Sequence, residues 1–312
     1  MVMDVRKTII LAKIETVYDT DPSPVATVDA ILASNVTITE TSSAEARGEQ
    51  WKSLDSFPSV LGEQYAEIKF STAVMGSGVA GTAPRLGVML KASAHSETII
   101  SNTSVTYAPI SQNHQSATFY IYMDGQLQIF TGCRGTGKAM FSAGKIISIE
   151  WTFMGRYAAP ATIAFPATVT YETTAKLPLV AKSSLFTYNA LTALTISEFT
   201  MDFGNKVVNR PSLNDPNAIK GFEIVGRKCM VTIDPERQAI ITSFNFRSDW
   251  LTTTRAVSVV GTRSAGNIMT INVPQFNITK VTQAARNEFQ IEKLEGEASA
   301  LNGDDSYSIV FT

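Results

Sequence analysis

The string Gly132-Cys-Arg-Gly-Thr-Gly-Lys-Ala139 has the spacing of a phosphate-binding loop, in which glycine amides and a lysine hold phosphate oxygens. Such a loop also needs a Ser or Thr hydroxyl for Mg²⁺, and Ala139 stands in that place. The residues that follow, Met140-Phe-Ser-Ala-Gly144, make a poor helix start, because strand-like residues 146–153 come at once. The chain also lacks the alternating β/α pattern of nucleotide-binding folds. A Gly-rich turn is the better reading, and an enzyme that binds a nucleotide through Lys138 is disfavoured.

The other reactive residue types read similarly. His95 and His114 are the only histidines, and no Cys/His cluster has zinc-ligand spacing. A Ser–His–acid or Cys–His arrangement built from distant residues stays open. His95, just after an apolar helical stripe, reads as packed or capping. Cys133 and Cys229 sit beside Arg134 and Lys228, neighbours that lower a thiol pKa, yet packing as small hydrophobes is the simpler reading. Asp234-Pro-Glu236 and Asp304-Asp305 read as solvated turn carboxylates rather than calcium ligands or an acid/base pair. No catalytic residue, cofactor or metal is assigned.

The elements that hold these residues are set by composition and pattern. The 312 residues suggest two domains at about 150 residues each. With 44% hydrophobic and 17% charged residues, the chain can bury a core and is not disordered. Lys+Arg at 26 against Asp+Glu at 28 gives a net charge of -2, which disfavours a protein that grips nucleic acid through its phosphates. Two cysteines cannot form a disulfide framework and fit a reducing compartment. No run reaches the ~20 apolar residues of a membrane span. Residues 8–12 are too short for a signal-peptide core and end at Lys13, so a chain that is not exported is expected.

Residues 35–39, 66–71, 117–122 and 146–153 alternate β-branched or aromatic residues with polar ones, the mark of half-buried strands. Asp124-Gly125 between two such runs is a hairpin turn. Pro84 followed by Leu86, Met89, Leu90 and Ala94 predicts a helix, and Asp249 predicts the start of a second over residues 249–256. A shift of about 163 residues aligns 34–39 with 197–202, 67–71 with 230–234, the two helices, and 106–109 with 271–274. The second copy lacks a counterpart of the 119–130 hairpin. The expected organisation is an extended arm (1–30), a first domain (31–157), a linker (158–194) and a second domain (195–312).

Several stretches resemble the tail tube (major tail) proteins of long-tailed bacteriophages. Residues 12–24 leading into 29–35 are similar to the family's arm and first strand. Tyr122-Met-Asp-Gly125, Gly132-Cys-Arg-Gly135, Ala143-Gly144 and Ile149-Glu-Trp-Thr-Phe-Met-Gly-Arg-Tyr157 are similar to its mid-chain signature. Phe199-Thr-Met-Asp-Phe-Gly-Asn-Lys-Val-Val208, Gly221-Phe-Glu-Ile-Val-Gly-Arg227 and Ile233-Asp-Pro-Glu236 resemble that of the second half. Together these motifs span nearly the whole chain.

The resemblance implies a mainly β fold: two tandem tail-tube-type β-sandwich domains, each with a short flanking helix. It also implies a structural, non-enzymatic virion protein made in the host cytoplasm. Copies assemble with themselves into stacked rings around a hollow tube. The rings are hexameric, or trimeric and pseudo-hexameric where the domain is duplicated. Other partners are the tape measure protein, the tail terminator and tip proteins, and double-stranded DNA in transit without specific binding; no membrane is involved.

A DNA conduit should repel phosphates rather than bind them, so acidic residues are expected on the lining. Residues 65–74 and 222–234 are the candidate lining strands, with Glu63, Glu67, Glu223 and Asp234 as the lumen-facing acids. The competing reading turns some of these, with Lys69 or Lys228, toward subunit contacts. The arm up to about Asp29 and the 158–194 linker are expected to reach neighbouring subunits. An adhesion, fibre or capsid-decoration sandwich is the alternative function.

Overall fold

Period-two alternation of apolar and polar residues commits most of the chain to strands, since only an extended backbone sends such a pattern to opposite faces. The computed structural model describes residues 7–172, 177–189, 191–192, 194–237, 246–252 and 254–312. The first part runs β1 (Thr8–Ile14), β2 (Ala30–Ile31), β3 (Ser34–Glu45), β4 (Val60–Ala73), α1 (Gly87–Ala92), β5 (His95–Ile100), β6 (Ser104–Pro109), β7 (Ala117–Met123), β8 (Gln126–Ser142) and β9 (Ser148–Arg156). The short strands β10 (Ala161–Thr162) and β11 (Leu185–Tyr188) follow. The remainder runs β12 (Glu198–Asp202), β13 (Asn205–Pro211), β14 (Ile219–Arg227), β15 (Met230–Ile233), α2 (Phe246–Thr252), β16 (Arg255–Ser264), β17 (Asn267–Arg286), β18 (Phe289–Ala298) and β19 (Ser308–Phe311). The fold is mainly β and antiparallel.

One layer is a sheet of eight strands in the order β3-β4-β9-β8-β12-β15-β18-β17. The second layer has two parts. One is β2-β1-β7-β8 with β10 on the far side of β8, and the other is β5-β6-β19-β17-β16-β11. The long strands β8 and β17 belong to both layers. Gln126–Cys133 of β8 pairs with β7, whereas Arg134–Met140 pairs with β9. The bend falls where the β7–β8 register slips and Gly132 adopts φ 62°, a bulge geometry that suits glycine.

Aromatic side chains fill the space between the layers. Phe119 of β7 meets Phe70 of β4 at 5.8 Å and Phe153 of β9 at 4.9 Å between ring centroids. Trp151, Phe203 and Tyr307 continue the stack at 6.0 and 5.7 Å. The main core is continuous from Ile10 to Phe311, so the two halves of the chain share one interior.

The hairpin turn forms as the sequence predicts, with Asp124 and Gly125 at φ 35° and 96°. So does the first helix, which buries Met89 and Leu90. The second begins earlier than expected: it spans Phe246–Thr252, and Asp249 lies within it rather than at its start. The reason is tertiary. Asp249 accepts hydrogen bonds from Tyr188 and Arg255 inside the fold, and Arg255 already opens β16.

The arm and linker also lie on their own chain. β1 pairs along its whole length with β7, and Ile10, Leu11 and Ala12 are buried. Tyr18 and Asp19 reach Gly132, Thr131 and Arg156. In the linker, β10 pairs with β8, Leu179 is buried between residues 74 and 147, and β11 pairs with β16. The stretches expected to reach neighbours are thus engaged internally from Thr8 to Ile31 and at β10, Leu179 and β11; residues 1–6 lie outside the described set.

Candidate functional site

The phosphate-loop string is neither a loop nor a turn, which corrects the turn expectation: all of Gly132–Ala139 lies in β8. Its glycines answer to packing. A Cβ on Gly137 would stand 2.7 Å from the Phe203 ring and 2.8 Å from Trp151, and one on Gly135 would meet the Phe153 ring at 2.5 Å. Lys138 lies opposite Glu150 of β9 on one side and Asp202 of β12 on the other, a cross-strand charge arrangement.

The other reactive types are interior as well. His95 is fully buried; its Nδ1 donates to the Leu90 carbonyl at 2.9 Å, so its Nε2 accepts from the Tyr307 hydroxyl at 2.8 Å. Burial lowers its pKa to about 3. Burial also pushes both thiols up and suppresses the thiolates that a nucleophile would need. His114 is half-buried and faces the Ile110 carbonyl. Among the described residues no group of His, Cys, Asp and Glu is placed to hold a metal.

What stands out instead is the outer face of the eight-stranded sheet. Side chains of even number on β9 and on residues 134–142 of β8, and of odd number on β4, point away from the core, and the register carries that face across every strand. Glu67 lies beside Met154, Thr152 beside Lys69 and Thr136, Glu150 beside Ser71 and Lys138. Beyond the β8–β12 junction the same face continues through Asp202, Thr200 and Glu198 to Met230 and Thr232, then to Glu297, Glu295 and Lys293. Thr37 and Thr39 of β3 and Lys280 and Thr282 of β17 complete it at the two ends. The face is threonine-rich; beyond the corner where Arg134 and Arg156 are neutralised by Glu223, Asp19 and Asp215, it holds Glu67, Glu150, Glu198, Asp202, Glu295 and Glu297 against Lys69, Lys138, Lys280 and Lys293. Ion pairs join Lys69 to Glu67 at 2.6 Å and Lys280 to Glu295 at 3.5 Å.

The four acids named from sequence divide on this geometry. Glu67 lies on the open face. Glu63 lies at the outer end of β4 and accepts from the Asn209 amide at 2.7 Å. Glu223 is not in the large sheet: it belongs to β14, which among the described residues pairs with β13 alone as a separate hairpin, and it binds Arg134 and Arg210. Asp234 is buried, and its carboxylate accepts from the Ser197 and Glu198 amides, the Ser197 hydroxyl and the Arg286 guanidinium. It is a corner brace rather than the solvated carboxylate expected, and of residues 222–234 only β15 belongs to the sheet. The sequence reading passed over Glu150, Glu198, Asp202, Glu295 and Glu297. Their signal was there, since each alternates with buried residues: Ile149 and Trp151, Phe199, Met201, Leu294.

Two further features frame the face. In the middle, β8 and β12 join the two halves edge to edge, with Lys138 opposite Asp202 and Phe141 opposite Phe199. At one end the β13–β14 hairpin of the second half lies across the first half. Phe222 packs on Tyr65 at 6.2 Å between centroids, Arg156 pairs with Asp215 at 2.7 Å, and buried Arg134 binds Glu223 and the Phe222 carbonyl.

Residues 6–307 match the family model described as phage tail tube protein. A search of curated proteins finds no match. A match over nearly the entire chain, on a mainly β fold whose large sheet keeps one face open, is decisive for family and for placement in the virion tail: the chain belongs to the phage tail tube protein family.

Proposed function

We propose that copies of this chain close laterally into rings that stack into a hollow tube, and that the open face of the eight-stranded sheet is the wall past which duplex DNA moves. The carrying observation is that face. It is continuous across both halves, rich in threonine hydroxyls and acidic in balance. Such a wall stays wetted and repels phosphate, whereas a basic wall would bind DNA, which carries about one charge per 1.7 Å of axis. Of the acids named from sequence, Glu67 serves this role, with Glu150, Glu198, Asp202, Glu295 and Glu297 added to it. Glu63 and Glu223 sit at the hairpin junction, and Asp234 braces the fold. The tape measure, terminator and tip proteins are the further partners of such a tube. No chemistry on bound molecules is ascribed to it.

The same reading takes residues 31–157 and 195–312 as duplicated units. Registers support this. Thr37 opposite Lys69 and Ile38 opposite Ile68 in β3–β4 correspond, at one constant displacement, to Thr200 opposite Thr232 and Met201 opposite Val231 in β12–β15. At that same displacement, Ser96 opposite Ala108 in β5–β6 corresponds to Val259 opposite Ile271 in β16–β17. The second unit then runs straight through β17 where the first makes β6, β7 and β8.

Electron microscopy of the purified protein tests the reading. Stacked rings with a central channel support it; discrete particles would favour an adhesion or decoration role. The triple variant Glu67→Lys, Glu150→Lys, Glu295→Lys should still form tubes but slow DNA release from phage particles, most at low salt. Unchanged release kinetics would refute the wall assignment.

A further inference from the structure

The β8–β12 junction is an internal copy of a joint the molecule leaves unmade at its two ends. Within the chain, the last strand of the first unit's four (β8) pairs with the first strand of the second unit's four (β12), five residues from Glu198 opposite Ser142 to Asp202 opposite Lys138. At the ends of the sheet, β3 pairs with β4 alone, and Thr282–Arg286 of β17 pair with β18 alone among the described residues. Position by position, β3 is the counterpart of β12, and the end of β17 is the counterpart of the end of β8. Residues 282–285 are exposed without alternation, and no residue of β3 is fully buried although Val36 and Ile38 rest on the core, which is how strand edges look when no third strand covers them.

The hairpins tell the same story. β13–β14, inserted between β12 and β15, lies across the preceding half and is held there by Arg134, Arg156 and Tyr65. Its counterpart, the segment 46–59 at the tip of β3 and β4, makes its side-chain hydrogen bonds, ion pair and ring contacts within itself among the described residues. Trp51 stacks on Phe57 at 4.9 Å and Arg47 lies over the same ring. Leu54 is fully exposed, and Val60 and Leu61 are exposed beside it. Isolated exposed apolar residues are ordinary, but a cluster at a hairpin tip marks a contact.

We propose that β3 of one copy pairs antiparallel with the end of β17 of a second copy in the register of the internal joint. Thr37 then faces Ala284, Ile38 faces Gln283 and Thr39 faces Thr282. The 46–59 tip lies across the second half of that copy, on the ground around Lys228 and Asn277, which correspond to Tyr65 and Arg134. The occupant is another molecule of this chain, because only a surface built like β12 and its hairpin matches both edges at once. The inference rests on lateral ring closure as proposed above, and adds which edges meet and in what register.

Paired cysteines test it on the full chain. Directly opposed antiparallel residues have Cα atoms within about 5.5 Å, a span a disulfide bridges, and native Cys133 and Cys229 are buried. Protein carrying Thr37→Cys mixed with protein carrying Ala284→Cys should give a covalent dimer on mild oxidation. Thr37→Cys with Lys280→Cys, four residues out of register, should give little. Leu54→Asp, at a site with nothing to unpack, should raise the protein concentration needed for rings at least tenfold. Rings that form without the Thr37–Ala284 cross-link would overturn this joint while leaving the tube intact. The cross-link in open chains that never close would uphold the joint and refute the tube. Failure to associate at all would refute both.

Discussion

The two faces of the eight-stranded sheet share a backbone and differ in everything else. Facing inward, Phe70, Trp151, Phe153, Phe199 and Met201 are almost wholly buried against the second layer. Facing outward on the same strands are Lys69, Glu150, Thr152, Thr200 and Asp202. The inward face makes the fold, and its side chains are fixed by volume. The outward face contributes little to stability, so its threonines and carboxylates are free to answer to whatever lies against it.

This contrast can be broken from the inside first. Trp151→Ala deletes an indole that packs on Phe153 and Phe203 and donates to the Thr72 hydroxyl at 2.9 Å. It should lower the unfolding free energy by about 3–5 kcal/mol in denaturant titration. A loss of under about 1 kcal/mol would mean that the layers do not pack as described.

The inside also contains a group that titrates against folding. His95 has a folded-state pKa of about 3 against 6.5 unfolded, so between those values the unfolded chain binds the proton that the native state excludes. Stability should therefore be intact above about pH 6.5 and fall as pH drops toward 3, by up to about 4 kcal/mol over the window. His95→Gln should flatten that part of the stability–pH curve. An unchanged slope would assign the acid sensitivity elsewhere.

The smallest effects belong outside. Glu150→Gln or Glu297→Gln should each change stability by no more than about 0.5 kcal/mol, since exposed charges contribute little. Melts of these variants that resemble the Trp151→Ala melt would erase the distinction between the faces.

Much of this was legible in the sequence. Alternation gave β3, β4, β7 and β9, Asp124-Gly125 gave the hairpin, and Leu86 with Met89 and Leu90 gave α1, because each is a local signal. The misreadings share a cause. Gly135 and Gly137 looked like loop residues, yet they keep a strand clear of Phe153, Trp151 and Phe203, which lie far along the chain or across the sheet. Asp234 looked like an exposed turn acid until Arg286, distant in sequence, was placed against it. Glu223 was counted in a lining strand because nothing local marks the break between β14 and β15. Phosphate-loop spacing, turn acids and strand ends all depend on tertiary neighbours that single-sequence patterns do not contain.

The central claim is best tested by the radial orientation of the sheet in an assembled tube, read from a helical reconstruction of the particles by electron cryomicroscopy. The account predicts Thr200, Glu150 and Glu295 on the channel surface, with Trp151 and Phe153 behind them. A channel lined by any other surface, with this face turned outward or buried between rings, would contradict it.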